Sequence, residues 1–85
     1  MNMRLRADIS TADTDDGMVL LDERDGRYWQ LNHSGTKIMK LLLSGHANHD
    51  VITSLVAEYH ISHDRAEDDV TSFVRHLQNA RLVAP

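Results

Sequence analysis

The sequence predicts an α+β fold, a three-stranded antiparallel sheet followed by three helices. Two observations predict it. Hydropathy alternates with period two in the first third of the chain, then recurs at i, i+3, i+4 after Asn32. Turn signals cut both halves into short elements: Asp25-Gly26 between apolar runs, and Gly45 after an apolar helical stripe. Consecutive strands with short links give an antiparallel meander.

Taken in order, Met1–Ile9 alternates Met3, Leu5, Ala7 and Ile9 with Arg4, Arg6 and Asp8, the pattern of a strand with one wet face. The stretch STADTDDG reads as a polar loop. Val19–Asp22 and Arg27–Leu31 are the arms of a β-hairpin whose connection is longer than a two-residue turn, which leaves the register open. Asn32 or Ser34 caps the first helix, and Ile38, Leu41 and Leu42 form its stripe, widened by Met39 and Leu43. Gly45 ends it. The second helix starts at Asn48 or Asp50 and carries Ile52, Leu55, Val56 and Tyr59. Ser62 caps the third, with Asp64 in the first turn and Ile61 and Ala66 placed as a hydrophobic staple. Ala66, Val70, Phe73, Val74 and Leu77 form its stripe, and Arg81–Pro85 reads as a tail. A turn of about three residues between the last two helices gives a helix-turn-helix, so the whole is winged helix-turn-helix-like.

The 85 residues bound the chain to a single domain, 1–85, with one small core. There is no cysteine, no basic-then-apolar leader and no membrane-length apolar run, so a cytoplasmic protein without a membrane partner is expected. Net charge is −4, and the nine Lys and Arg are scattered. A polyanion binder concentrates positive charge, which this chain does not.

Catalytic patterns are missing. The sequence holds no cysteine nucleophile, no Gly-rich phosphate loop and no GxSxG, and Asp68-Asp69 reads as a wet helix face, so no enzyme, catalytic residue or cofactor is expected. His46-x-x-His49 and His60-x-x-His63 have a metal-like spacing, but each pair straddles an inter-helix turn where its rings need not converge. They read as exposed loop histidines, not metal ligands. A winged-helix DNA-binding protein is the alternative function. Its recognition helix would open His63-Asp64-Arg65-Ala66-Glu67-Asp68-Asp69, with four acids facing phosphate, and nucleic acid is therefore not expected as a partner.

The stretch GRYWQLN holds Tyr28 and Trp29 side by side in a short strand. Alternation sends Trp29 and Leu31 toward the helices and Tyr28 and Gln30 to the other face. If strand order follows chain order, this strand is a sheet edge, with Arg27 its only charge and no proline. Such an edge is either tolerated because it is short or receives an extended peptide by strand addition. The residues alone leave both readings open.

A hairpin ending DGRYWQLN, the step SGTKIMKLLLSG, the helix end LVAEYHIS, the acidic-start helix RAEDDVTSFVRHL and the terminal ARLV occur in this order. Together, from about Asp16 to Val83, they resemble the PqqD-like family, and most resemble the free-standing leader-recognition proteins of lasso-peptide biosynthesis. The resemblance implies a winged-helix-like RiPP recognition element that does no chemistry. It implies a precursor leader peptide as partner, added antiparallel to the third strand and anchored in the groove beside the third helix, typically by a tyrosine, a proline and a leucine. It implies a separate leader peptidase of cysteine-protease type, which fits the missing cysteine here, and a cyclase as a further partner. Carried onto this sequence, the peptide-binding residues are Arg27, Tyr28, Trp29, Gln30 and Leu31 on the strand and Asp69, Val70, Phe73, Val74 and Leu77 on the helix. Phe73 and Val74 are core residues first, and a groove floor is made from the rim of a core. Asp69 lies outside the apolar stripe and would meet a leader amide or cation. An open third strand also allows a weak edge-paired dimer beside the monomer.

Overall fold

The computed structural model describes residues 3–84. Strands β1 (Ile9–Thr14), β2 (Gly17–Asp22) and β3 (Arg27–Leu31) precede helices α1 (His33–Leu43), α2 (Asn48–Tyr59) and α3 (His63–Asn79). The sheet is antiparallel in the order β1-β2-β3, so β3 is an edge. Three strands followed by three helices is the predicted class.

Several boundaries follow from local chemistry. The β2–β3 register pairs Asp22 with Arg27 and Met18 with Leu31. Asn32 caps α1 by accepting the Gly35 N–H at 2.8 Å, and Ser62 caps α3 by accepting the Arg65 N–H at 3.1 Å. Gly45 adopts φ 93° after α1, and His60 takes φ 55° after α2, starting the three-residue turn into α3.

Two expectations fail, for related reasons. The first strand is not Met1–Ile9 but Ile9–Thr14, which shares only Ile9 with the expected strand and otherwise lies in the expected loop. Met1 and Asn2 lie outside the described residues. The polar run ISTADT is a strand because it is an outer edge, where only Ile9 is buried and two β-branched threonines suit the pleat. Its turn is Asp15-Asp16, closed by the pair Thr14 and Gly17. The alternation of Met3 to Ala7 finds a different partner. Leu5 bridges Val83, Arg6 N–H donates to the Leu82 carbonyl at 3.0 Å, and Ala84 N–H donates to the Arg4 carbonyl at 2.8 Å. Residues 81–84 of the expected tail are therefore held in place, and Leu82 is buried; Pro85 lies outside the described residues.

The core has two parts. Ile38, Leu42, Val51, Ile52, Leu55, Ala66 and Val70 pack the helices together. Ile9, Met18, Leu20, Met39, Leu77 and Leu82 fill the space under the inner face of the sheet. Phe73 touches both parts, at the junction of helix layer and sheet. Among the described residues, no helix is long and apolar enough to cross a membrane.

Candidate peptide-binding groove

The third strand stands beside an open cleft. Along the main chain, α3 approaches α2 and stands off from β3. Residues of β3 and of one stripe of α3 line the gap. Trp29, Gln30 and Leu31 come from the strand, and Phe73, His76, Leu77 and Ala80 from the helix and its end, with Leu20 and Leu82 beneath. The cavity measures about 350 Å³. Its lining is mostly apolar, and the strand that lines it is a free edge of the sheet.

Past the end of β3 the cleft turns polar. Asn32, Ser34 and Gly35 at the start of α1 face Arg65, Asp69, Ser72 and His76 on α3 across a cavity of about 360 Å³. A third cavity of about 480 Å³ adjoins it, where Leu55, Tyr59 and Ile61 lie below His33, Arg65 and Asp69. Phe73 lines both the apolar and the polar section and separates them.

Two glycines shape this cleft. A Cβ on Gly35 would stand 3.3 Å from the Phe73 ring and 3.2 Å from Asn32 Oδ1, so the bare glycine lets the ring seat against the first turn of α1. Gly17 has φ 150°, and a Cβ there would overlap the Leu31 carbonyl and lie 2.7 Å from Thr36 Oγ1. The last residue of β3 is thus set by close contact with the first of β2.

The turn end of β3 is held by ions. Asp22 is fully buried. Its Oδ1 accepts the N–H groups of Arg24 (3.1 Å) and Asp25 (3.2 Å), closing the hairpin turn. Its Oδ2 faces Arg6 at 3.1 Å and Arg27 at 3.7 Å. Burial alone would raise the carboxyl pKa. The Asp25 N–H, the Arg6 guanidinium and the Arg24 N–H outweigh it and hold the group below its ordinary range. The Arg27 guanidinium in turn lies 5.0 Å over the Trp29 ring.

The structure gathers most of the predicted site residues. Trp29, Gln30, Leu31, Phe73 and Leu77 line the apolar cleft, and Asp69 lines its polar extension. Arg27 stacks on Trp29 at one end. Tyr28 points to the opposite face of the sheet and is 70% exposed. Val70 is buried between the helices, and Val74 packs against that same cluster, so neither lines the cleft. The sequence reading missed Leu20, Gly35, His76, Ala80 and Leu82. His76 and Ala80 follow Phe73 at i+3 and i+7, a spacing visible in the sequence once Phe73 is placed on the groove. Among the described residues, no group of three or more His, Cys, Asp or Glu is arranged to hold a metal ion.

Comparison with known proteins points the same way. Residues 17–83 match the family Coenzyme PQQ synthesis protein D (PqqD). Among curated protein sequences, none matches. The chain is 44% identical to a lasso peptide synthetase B1 solved in complex with the leader peptide, covering 100% of both chains with a TM-score of 0.95. It is 31% identical to TbiB1, solved in complex with the TbiA(beta) leader peptide, covering 95% of this chain and 94% of that one with a TM-score of 0.86. The chain belongs to the PqqD family.

Proposed function

We propose that residues 1–85 act as one RiPP recognition domain that binds the leader segment of a lasso-peptide precursor by strand addition to β3. One observation carries this reading. The uncapped edge of β3 runs along an apolar cleft of about 350 Å³, in a chain 44% identical over its full length to a B1 protein complexed with the leader peptide.

The energetics divide between main chain and side chains. Each strand-to-strand hydrogen bond contributes about 1 kcal/mol net. β3 has only five residues, so its bonds set register and direction while leaving most of the cost of association uncovered. Anchored side chains supply the rest, at roughly 1.5–3 kcal/mol for each Leu-sized group fully buried. Alternation sends every second leader side chain into the cleft between Trp29 and Phe73, and the others outward beside Tyr28 and Gln30. Asp69 stands where a leader amide or cation would meet it.

The same complex serves presentation to a separate leader peptidase of cysteine-protease type, with the cyclase as a later partner. The outward face of the sheet supports this. Its residues, Ser10, Ala12, Thr14, Gly17, Val19, Leu21, Tyr28 and Gln30, include no charge, and Leu21 and Tyr28 are exposed cross-strand neighbours. Apolar and aromatic centres without charge are typical of protein interfaces. The chain itself does no chemistry in this reading and works in the cytoplasm. Unloaded, it is a monomer or a weak dimer paired through β3, a state that competes with the leader.

Fluorescence anisotropy of a labelled synthetic lasso-precursor leader, with the TbiA(beta) leader bound by TbiB1 as the first probe, tests binding, with mixed-sequence duplex DNA as the rival probe. Saturable leader binding that changes little between low and moderate salt is expected. Failure of the leader to bind, with duplex binding that collapses as salt rises, would instead favour the winged-helix DNA reading.

A further inference from the structure

We propose that Asp22 is a positioning residue for the groove: its buried carboxylate holds Arg27 over the Trp29 indole and so fixes the aromatic wall of the cleft. This rests on the peptide reading only for its consequence in binding, because the arrangement itself belongs to the free protein.

The geometry separates two jobs within one carboxylate. Oδ1 is used by the turn, accepting the N–H groups of Arg24 and Asp25. Oδ2 makes no hydrogen bond of good geometry and lies within ion-pair distance of two guanidiniums, Arg6 from the segment before β1 at 3.1 Å and Arg27 from β3 at 3.7 Å. A turn of this kind needs only Oδ1, and a neutral amide would serve it. Burying a charge for a turn alone is costly, and the expense is offset where cations meet it. Arg6 also has Asp8 at 3.0 Å and Arg27 also has Asp25 at 3.6 Å, but of these acids only Asp22 is buried and so fixed in place beside Arg27. Arg27 and Trp29 share one face of β3 two residues apart, and the guanidinium lies over the ring. Trp29 is half-buried on an edge strand, with the cleft on its open side. Without the cation above it, the indole has rotamers that swing into the cleft or out to solvent.

Trp29 is the sole tryptophan, so its emission reports this wall alone. Asp22→Asn keeps an Oδ1 acceptor for the turn and removes the charge. Measured without peptide, the acrylamide quenching constant of Trp29 is expected to rise roughly twofold in D22N and in R27M, as the ring loses its cation cover. R27K, which keeps a cation beside Asp22, is expected near wild type. The double variant D22N/R27M should match R27M alone. Asp25 also faces Arg27, at 3.6 Å, from an exposed position, and D25N is expected to leave quenching unchanged. Wild-type quenching in D22N, additive effects in the double variant, or a rise in D25N would each overturn the proposal. Should D22N fail to fold by circular dichroism, D25N and R27M against R27K decide it. With a synthetic leader bound, the off-rate of R27M is expected to rise about three- to tenfold. An unchanged off-rate with a loosened indole would overturn the role in the groove. No binding by wild type would count against the peptide reading alone.

Discussion

The sheet has two free edges, and they are built to opposite ends. On β1, Thr11, Ala12, Asp13 and Thr14 are exposed, and Lys40 of α1 pairs with Asp13 at 3.2 Å. An acid and an ion pair there blunt the edge, as edges of small sheets usually are. On β3 the inward residues are Trp29 and Leu31, the sole charge is Arg27 at the turn, and α3 stands off to leave a cleft. The difference teaches that an open edge is not by itself a receptor. Main-chain groups are present on both strands. Only β3 adds a second wall that can take side chains.

The largest expected effect comes from Gly17, which touches both halves of the contrast. It closes the β1–β2 turn opposite Thr14 and abuts the Leu31 carbonyl. Gly17→Ala adds a Cβ where φ is 150° and where the β3 backbone already stands. Urea unfolding should show a loss of roughly 2–4 kcal/mol. A loss under about 0.5 kcal/mol would mean that β3 yields easily and its groove is not rigidly framed.

Next is the wall itself. Phe73→Ala should weaken leader binding by at least about tenfold, because a half-buried aromatic at the centre of the cleft is lost. Val74→Ala, one residue along on the helix-facing side, should cost about 1 kcal/mol of stability and leave affinity within about twofold. Anisotropy titrations of both variants check the pair. Equal losses of affinity would place the site on the wrong face of α3.

How much of this was legible in the sequence depends on what held each segment. The hairpin arm Arg27–Leu31, the Ser62 cap and the three helices were visible because local chemistry determines them, and the first cap was narrowed to Asn32 or Ser34. Asn32 and Ser62 cap without help from the rest of the fold. β1 was not visible, since ISTADT is a strand only through its pairing with β2. Leu82 was hidden for the same reason, as its burial depends on residues 4–6 at the far end of the chain. For the proposed site, the residues came from the family resemblance; alternation put Trp29 and Leu31 on the helix side of the sheet, and periodicity put Phe73 and Leu77 on the α3 stripe. That stripe is broader than the groove, however. Telling Phe73 from Val74 needs the position of α2, which takes Val70 and Val74 for the helix core.

A smaller effect concerns pH and the turn end of β3. The pKa of Asp22 is lowered in the folded state, so its contribution to stability is complete above the unfolded carboxylate value, near 3.9. That contribution is lost as pH falls through the folded value. Glu58, held by Lys37 at 3.0 Å, shifts in the same direction. Urea midpoints should therefore fall progressively below about pH 4, with a shallower fall in D22N. An equal slope in D22N would mean that other carboxylates carry the acid sensitivity.

The smallest effect is expected at the blunted edge. Thr11→Lys on β1 should change leader affinity by less than about twofold, within the usual range of a surface substitution. A larger loss would make β1 part of the receptor and dissolve the contrast between the edges.

Titrating isotope-labelled protein with the synthetic leader while following backbone amides tests the central claim most directly. The account predicts shifts in residues 27–31 and along the groove stripe of α3 at Asp69, Phe73, His76, Leu77 and Ala80, with slowed amide exchange on β3. Residues 9–14 of β1 should stay where they are. Shifts centred on β1 or on the loop histidines His46, His49, His60 and His63, with β3 unmoved, would contradict it.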